Sequence, residues 1–359
     1  MTITVRPART RSSLAGNTLP TVSLWLMFIG SIGVSLTLFS LLAAANGAPF
    51  NLFGALALGL VMFVVVSTGV SAAVEGRRRS IDRFVTSLVT GAFLVAMVPL
   101  VSLIITVIAK GLARLDPEFF SSSMRNITGD GGGALHALLG TLLITLAATV
   151  ISVPLGLLTA IYLVEYGRGR VAKTITFLVD VMTGIPSIVA GLFAYAVFAL
   201  IFGPGIRMGF IGSVALSVLM IPVVVRSSEE MLRLVPNELR EASYALGVAK
   251  WLTITKVVLP TALAGITTGI MLSIARVIGE TAPLLITAGF TASMNYNLFQ
   301  GRMQSLPVYV YTQYTMQGNP VQAFLDRAWA AALLLILIVM ALNLLGRWVA
   351  KKYSPQTGR

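Results

Sequence analysis

The chain has 359 residues, of which 56% are hydrophobic and 11% are charged, and its formal net charge is +13. Soluble domains carry roughly 25% charged residues, so this composition predicts a polytopic membrane protein. The lysines and arginines are scattered in short loops between apolar runs, which argues against a nucleic-acid binder with one basic face. The absence of cysteine excludes disulfides and thiol chemistry, and the single histidine, His136, argues against a zinc cluster.

Eight apolar segments are long enough to cross a bilayer, for which a helix needs about 20 residues. The segments are 21–45, 50–74, 84–108, 134–164, 174–202, 210–227, 260–289 and 328–350. The first follows the basic stretch RPARTR and runs into LLAAAN, as a secretory signal does. It is longer than the about 7 to 15 residues of a signal core, so we interpret it as an uncleaved span.

Arginine and lysine are concentrated in the segments on one side of these spans. That side includes the N-terminal tail, with Arg6, Arg9 and Arg11, and the basic segment 77–83. Cytoplasmic loops carry an excess of these residues, so the pattern predicts that both chain termini face the cytoplasm.

Two segments on the opposite side are long, 109–133 with its GDGGG stretch and 290–327 with MQSLPVYVYTQY. The tyrosines of the second segment could dock a soluble partner, or they could belong to the aromatic belt at the membrane surface. Both interpretations stay open from the sequence. The tyrosines are Tyr296, Tyr309, Tyr311 and Tyr314.

Nucleotide-binding motifs are missing or lie in the wrong context. The sequence has no G-x-x-x-x-G-K-[ST] phosphate loop, so any ATP-driven work needs another chain. GRGRVA at 167–172 and GDGGGA at 129–134 match G-x-G-x-x-A, but each precedes a membrane span instead of joining a strand to a helix. Gly265 and Gly269 form a G-x-x-x-G pair, which is a weak helix-packing signal.

Prolines interrupt several spans. A proline frees a carbonyl that must find another partner, so such kinks persist where neighbouring helices or a water-lined cavity supply one. The pattern fits packing around a pathway, and it also fits ordinary kinks in a bundle. The prolines are Pro99, Pro154, Pro186, Pro222 and Pro283.

The longest cytoplasmic loop reads SSEEMLRLVPNELREASYALGVAKWLTITKVVLP. Asn237 predicts a helix start as its N-cap, and Glu241 is favoured near the positive end of the helix dipole. Gly247 predicts the helix end, because glycine accepts the left-handed conformation without penalty. A second short helix is predicted over residues 249–258, before Pro260 and the next span.

The order E-A-S-x-x-x-G, nine residues and then V-V-L-P resembles the EAA loop in permease subunits of ABC importers. That family usually has alanine where this chain has Ser243, and isoleucine where it has Val257. The resemblance implies that the loop forms a coupling helix, which docks into a groove of a separate ATPase subunit. The residues implied at this contact are Glu241, Ala242, Ser243, Gly247, Leu259 and Pro260.

Further stretches narrow the resemblance to the PstA-type permeases of phosphate importers. They are VDVMTGIPSIVAGLF, LMIPVVVRSSEEML, ARVIGETAPLL, MQSLPVYVY and AWAAALLLILIVMALNLLGR. The resemblance covers residues 84–350 and implies an all-α membrane bundle with a MetI-like core of six helices and a coupling loop at 228–259. Two extra N-terminal helices in 1–83 and a cytoplasmic tail at 351–359 lie outside that core.

The same resemblance implies a subunit of a larger assembly in the bacterial cytoplasmic (inner) membrane. The implied partners are a PstC-like permease in a heterodimer, two PstB-type ATPase subunits inside and an extracytoplasmic phosphate-binding protein. The chain itself is then expected to be no enzyme and to hold no cofactor or metal.

Arg276 and Glu280 are the deepest charges of the seventh span. Each costs about 2.5–3.5 kcal/mol at the bilayer centre, so neither is expected to face lipid. Spaced i and i+4, they are predicted to share one helix face, either as a structural bridge or with Arg276 lining an anion pathway and Glu280 orienting it. Thr281 and Pro283 complete the predicted pathway segment, in which Pro283 allows bending.

Three functions are compatible with these features. The leading interpretation is a permease subunit that provides half of an alternating-access pathway for inorganic phosphate. An ABC importer of sulfate, molybdate or an amino acid would carry the same coupling loop. An ion-coupled secondary transporter would work alone and leaves that loop unexplained, and no internal repeat is visible to support it.

Overall fold

The computed structural model describes residues 19–47 and 49–353, and the regular structure in these residues is entirely helical. This confirms the predicted all-α membrane bundle. A 3-10 turn, Leu112–Arg114, follows α3, and π-helical turns at Tyr162–Tyr166 and Ile254–Val258 extend α5 and join α10 to α11. The helices are α1 Thr21–Asn46, α2 Leu52–Val74, α3 Arg77–Gly111, α4 Pro117–Ser121, α5 Leu135–Ile161, α6 Arg170–Thr183, α7 Ser187–Phe202, α8 Gly209–Arg233, α9 Asn237–Ala245, α10 Lys250–Thr253, α11 Leu259–Val277, α12 Ala282–Thr287, α13 Leu306–Thr315 and α14 Val321–Tyr353.

Within the described residues, 7 helices are long and apolar enough to cross a membrane, and α6 with α7 make an eighth if the pair counts as one span. The pair is bent by 110°, so the span expected over 174–202 is broken in its middle. Gly184 and Pro186 lie at the break. Proline has no N–H to donate and disfavours helical geometry in the residue before it, which explains why the helix stops there.

The span expected over 260–289 is also interrupted. Helix α11 ends at Val277, the chain turns, and the short helix α12 begins at Ala282. Pro283 lies in the first turn of α12, where a missing N–H costs nothing.

The described residues up to Leu103 form one compact unit, in which α1 packs against α2. The contact face is small and polar: the Ser35 hydroxyl donates to the Ala55 carbonyl at 2.5 Å, and a Cβ on Gly59 would come within 2.7 Å of the Ile32 side chain. Small and hydroxyl-bearing residues allow such close approach of membrane helices. Most large apolar side chains point outward instead, as contact with lipid requires.

Glu75, between α2 and α3, ties the ends of this unit together. Its carboxylate accepts hydrogen bonds from the Ser71 hydroxyl at 2.7 Å, from Arg83 at 2.8 Å and from the Leu19 N–H at 2.8 Å. These hydrogen bonds, with that from Ser71 contributing most, lower the pKa of Glu75 to about 2. The carboxylate is therefore charged at neutral pH.

The residues from Ile104 onward form the second unit, which is built around α8. Helix α8 is the most buried of the candidate spans and packs closely along α5. The Ser213 and Ser217 hydroxyls on α8 donate to carbonyls of α5 at 3.1 and 3.4 Å. Helix α3 runs through residue 84 without a break, so no helix end marks the predicted domain boundary there. That boundary stays a prediction.

Candidate functional site

Helix α9 projects from the end of α8 as a short separate element. It begins at Asn237, which is the first helical residue and not the N-cap as expected; Pro236 takes the cap position. The Asn237 side chain instead accepts a hydrogen bond from Arg240 at 3.3 Å. Gly247 has φ 73°, so the predicted left-handed helix end is confirmed.

Arg240 fastens α9 to the end of α5. Its guanidinium pairs with the Glu165 carboxylate at 2.9 Å and donates to the carbonyls of Leu232 and Val235 at 2.9 and 2.6 Å. Lys250 donates to the Glu165 carbonyl and lies 4.8 Å above the Tyr166 ring. These contacts fix the position of α9, because residues at the end of α5, in α8 and in α10 all take part in them.

Ser243 explains one departure from the usual family pattern. Its hydroxyl is buried and hydrogen-bonded to the Thr253 hydroxyl at 2.8 Å, which joins α9 to α10. An alanine could not form this bond. The serine therefore acts in the structure as a cross-link between the two short helices.

Leu259 and Pro260 lie outside this projecting element. The helix expected over 249–258 is present from Lys250, and it continues without a break through the π-helical turn, so that Lys250–Val277 forms one helix. Leu259 is partly buried and packs against the cluster that contains Leu232 and Val258. The segment 228–259 stays a prediction as a coupling loop, and its first residues belong to α8, where Ser228 is buried.

Large apolar side chains at the end of α8 and in the α9–α10 hairpin are exposed, and we call this group the docking surface. Glu241, Ala242 and Gly247 are exposed beside it. Leu246 is 83% exposed and Trp251 63% exposed, although both are large and apolar. An exposed apolar patch with a polar rim marks a protein interaction site. The docking surface consists of Leu234, Leu239, Tyr244, Leu246 and Trp251.

Arg276 and Glu280 are not paired in the structure. Arg276 lies in the last turn of α11, Glu280 lies in the turn beyond it, and no ion pair among the described residues joins them. The expected shared helix face is wrong because the helix ends at Val277. Arg276 is exposed on this chain, and Glu280 is half-buried.

Pro283 is a packing residue. Its side chain is buried, and a Cβ on Gly191 of α7 would lie 2.6 Å from the Pro283 Cα. Thr281 occupies the N-cap position of α12, and its carbonyl accepts from the Leu285 N–H at 3.0 Å. The turn between α11 and α12 is therefore held against α7.

A network of charges between α6 and α8 was not expected from the sequence. Glu229, whose side chain is 5% exposed, accepts from Arg226 at 2.8 Å and from Arg233 at 2.6 Å. Arg226 also pairs with Asp180 on α6. The spacing R-x-x-E-x-x-x-R on α8 could have indicated the helical part, but the partner on α6 is 46 residues away.

The four tyrosines expected in a docking surface or an aromatic belt do not share one environment, and the choice between the two interpretations stays open for the exposed ones. Tyr309 is fully buried and belongs to the core, whereas Tyr296, Tyr311 and Tyr314 are exposed. In the segment 109–133, the Asp116 carboxylate caps α4 by accepting a hydrogen bond from the Phe119 N–H at 2.8 Å. Partial burial raises the pKa of Asp116, but the Phe119 N–H and the adjacent Arg114 outweigh it and lower the pKa overall.

Comparison with known proteins identifies relatives over most of the chain. The family model described as "Binding-protein-dependent transport system inner membrane component" matches residues 152–359. A Mycobacterium tuberculosis "Phosphate transport system permease protein PstA 1" is 49% identical over 271 residues, which covers 75% of this chain and 88% of that protein. A Yersinia pestis "Phosphate transport system permease protein PstA" is 37% identical over 276 residues, which covers 77% and 92%.

A solved structure shares the fold. A chain of a bacterial alginate ABC transporter, in complex with an alginate pentasaccharide-bound periplasmic protein, matches with a TM-score of 0.54 at 13% identity. The match covers 77% of this chain and 97% of that one.

Proposed function

This chain belongs to the family of binding-protein-dependent transport system inner membrane components, and we propose that it forms half of an alternating-access pathway for inorganic phosphate in an ABC importer. It is a multi-pass protein of the inner membrane and is not itself catalytic. A separate ATPase subunit supplies the energy. The phosphate cargo is inferred from the printed names of relatives at 37–49% identity.

The docking surface is the observation that carries this proposal. Leu246 and Trp251 are large, apolar and exposed beside the polar residues of the loop, so we infer that a partner protein covers them. We assign that partner as a PstB-type ATPase subunit, which the E-A-S-x-x-x-G loop engages through Glu241, Ala242 and Gly247. Ser243 stabilises the loop through its buried hydrogen bond to Thr253. Leu259 and Pro260 belong to α11, the helix that follows the loop.

The same helix connects this surface to the charged turn. Lys250 lies beside the docking surface and Val277 follows Arg276, so one continuous helix of 28 residues joins the two regions. At 1.5 Å per residue it is about 42 Å long. We propose that a movement imposed by the ATPase at one end of this helix displaces its other end.

Arg276 is the residue proposed to meet the anion. It is exposed on this chain and forms no ion pair in the part of the chain that the structure describes. A cation in the membrane must still be covered by something other than lipid, so we place it toward the pathway and the second permease. Glu280 moderates the local positive charge, Thr281 shapes the turn and Pro283 anchors it against α7.

The proposed assembly contains four further components. They are a PstC-like permease in a heterodimer with this chain, two PstB-type ATPase subunits and an extracytoplasmic phosphate-binding protein. Both termini are proposed to be cytoplasmic; residues 1–18 and 354–359, with Arg6, Arg9 and Arg11, lie outside the described residues.

Uptake by the reconstituted complex tests the proposal. We expect ATP-dependent accumulation of radioactive phosphate in vesicles that contain this chain, its partner permease, the ATPase and the binding protein, and no accumulation with this chain alone. Sulfate, molybdate or amino-acid accumulation without phosphate uptake would assign another cargo. Transport by this chain alone, driven by an ion gradient, would instead support a secondary transporter.

A further inference from the structure

Two arginines from different outer segments pack against one glycine. Gly289 follows α12 and has φ 72°. A Cβ added to Gly289 would lie 3.1 Å from the Arg207 Cδ and 3.5 Å from the Arg302 Cδ. Each guanidinium group begins one bond beyond Cδ, so both groups extend from the same point of the second unit. We call Arg207 and Arg302 the arginine pair.

Backbone hydrogen bonds fix the arginine pair beside Gly289. The residue after each arginine is a buried methionine that donates its N–H to the end of α12. Met208 donates to the Thr287 carbonyl at 3.2 Å, and Met303 donates to the Ala288 carbonyl at 3.1 Å. The backbone positions of the two arginines are therefore set by the fold.

Neither guanidinium group of the arginine pair has a hydrogen-bond or ion-pair partner among the described residues. Arg207 is half-buried and Arg302 is exposed. Two positive charges held close together repel each other, and an anion that contacts both removes this repulsion. The arrangement therefore favours an anion from outside the chain.

The carboxylates of the outer segments are engaged elsewhere. Segments 109–133 and 290–327 contain four acidic residues, and 203–208 contains none. Two of the four form ion pairs with Arg114, and the other two act electrostatically on Arg327. The four are Asp116 and Glu118 at Arg114, and Asp130 and Asp326 at Arg327.

Helix α12 connects the arginine pair to the charged turn. Arg276 and Glu280 precede this helix, and Gly289 lies two residues beyond its end at Thr287. The helix has 6 residues, so at 1.5 Å per residue it is about 9 Å long. The arginine pair is therefore separated from the charged turn by one short helix along the chain.

We propose that Arg207 and Arg302 together bind a small oxyanion on the outer side, before the anion reaches Arg276. A guanidinium group offers parallel donors that match an oxyanion, with hydrogen bonds of about 2.7–2.9 Å. The choice of inorganic phosphate as the probe rests on the proposed function. The charge argument itself applies to any oxyanion small enough to contact both arginines.

Equilibrium dialysis of radioactive phosphate tests this site in the purified complex, without the binding protein and in a phosphorus-free detergent. A non-hydrolysable ATP analogue fills the ATPase sites, so that these do not take up the probe. We expect Arg207→Gln and Arg302→Gln each to weaken phosphate affinity about threefold and the double variant about tenfold, as exposed charges contribute modestly. Assembly and thermal stability should stay normal, because neither guanidinium bonds to the fold.

Arg125→Gln is the matched control, since Arg125 is an exposed arginine of the outer segment 109–133. It should bind phosphate like the unaltered complex. A charge-rescue experiment then separates charge from packing, because the chain has no cysteine and Arg302 is exposed. Modification of Arg302→Cys with an aminoethyl thiosulfonate reagent should restore binding, whereas a sulfonatoethyl reagent should not. The complex with the unaltered chain controls for thiols of the other subunits.

Phosphate binding that is unchanged in the double variant would overturn the site and leave the proposed function standing. The site is also overturned if the double variant weakens only the docking of the binding protein, because the arginines then contact carboxylates of that protein. Binding that depends on both arginines, in a complex that accumulates no phosphate, would overturn the proposed function and leave the site.

Discussion

At the scale of single residues, a substitution of Arg276 distinguishes a role in the anion pathway from a structural role. The structure separates it from Glu280 by a helix end, so its charge is not needed to neutralise a buried partner on this chain. We predict that Arg276→Gln assembles normally but lowers phosphate uptake about tenfold or more, since charge-assisted hydrogen bonds contribute about 1.5–3 kcal/mol. Initial uptake rates and co-purification of the ATPase are the two measurements.

Arg347→Gln, at an exposed position of α14, is the matched control and should transport normally. The charge swap Arg276→Glu with Glu280→Arg should fail to transport, because no bridge exists to be restored. Near wild-type uptake in that swap would show that the two charges do form a structural pair.

At the scale of one element, the α9–α10 hairpin depends on the conformation of Gly247. A Cβ there meets nothing within 4 Å, so a substitution acts through the backbone at φ 73° and not through a clash. We predict that Gly247→Val costs about 1–2 kcal/mol in hairpin stability and greatly reduces ATPase co-purification and uptake, because a β-branched residue resists left-handed geometry.

Gly247→Asn provides the control, since asparagine tolerates the left-handed conformation far better. It should retain most transport. Equal loss of transport in both variants would indicate that the ATPase needs the bare glycine surface itself, and equal retention in both would contradict the role of this hairpin in coupling.

At the scale of the whole molecule, the contacts of Glu165 bear on the topology of the bent pair α6–α7. Arg240 and Lys250 both bind Glu165, so the end of α5 and the α9 hairpin lie on one side of the membrane. The chain between them must then cross an even number of times. If α8 crosses once, α6 and α7 together cross once, which makes eight candidate spans among the described residues.

We predict that this shared side is the cytoplasm. The chain has no cysteine, so single cysteines can be labelled with an impermeant thiol reagent in spheroplasts. Ser121→Cys and Gln300→Cys, which are exposed positions of the long outer segments, should react at once, and Glu238→Cys should react only after permeabilisation. Reaction of Glu238→Cys from outside would reverse this orientation.

The sequence alone determined the membrane class, the apolar segments and the short projecting helix with its left-handed glycine. These features depend on local physics: the length of an apolar run, the charge of its flanks and the backbone freedom of Gly247. The spacing of the E-A-S-x-x-x-G loop was also enough to identify its resemblance to the EAA loop of ABC importer permeases, because the loop is contiguous in the chain.

Only the tertiary structure decided which partners the charged residues contact. The sequence placed Arg276 and Glu280 on one helix, but the helix ends between them where α12 packs against Gly191. It could not pair Arg226 with Asp180, or place Arg327 behind Gln313 and the carbonyls of Gly129 and Gly131, because each contact joins different helices or loops. Desolvation makes such charges costly without a partner, and which partner is near depends on how distant segments pack.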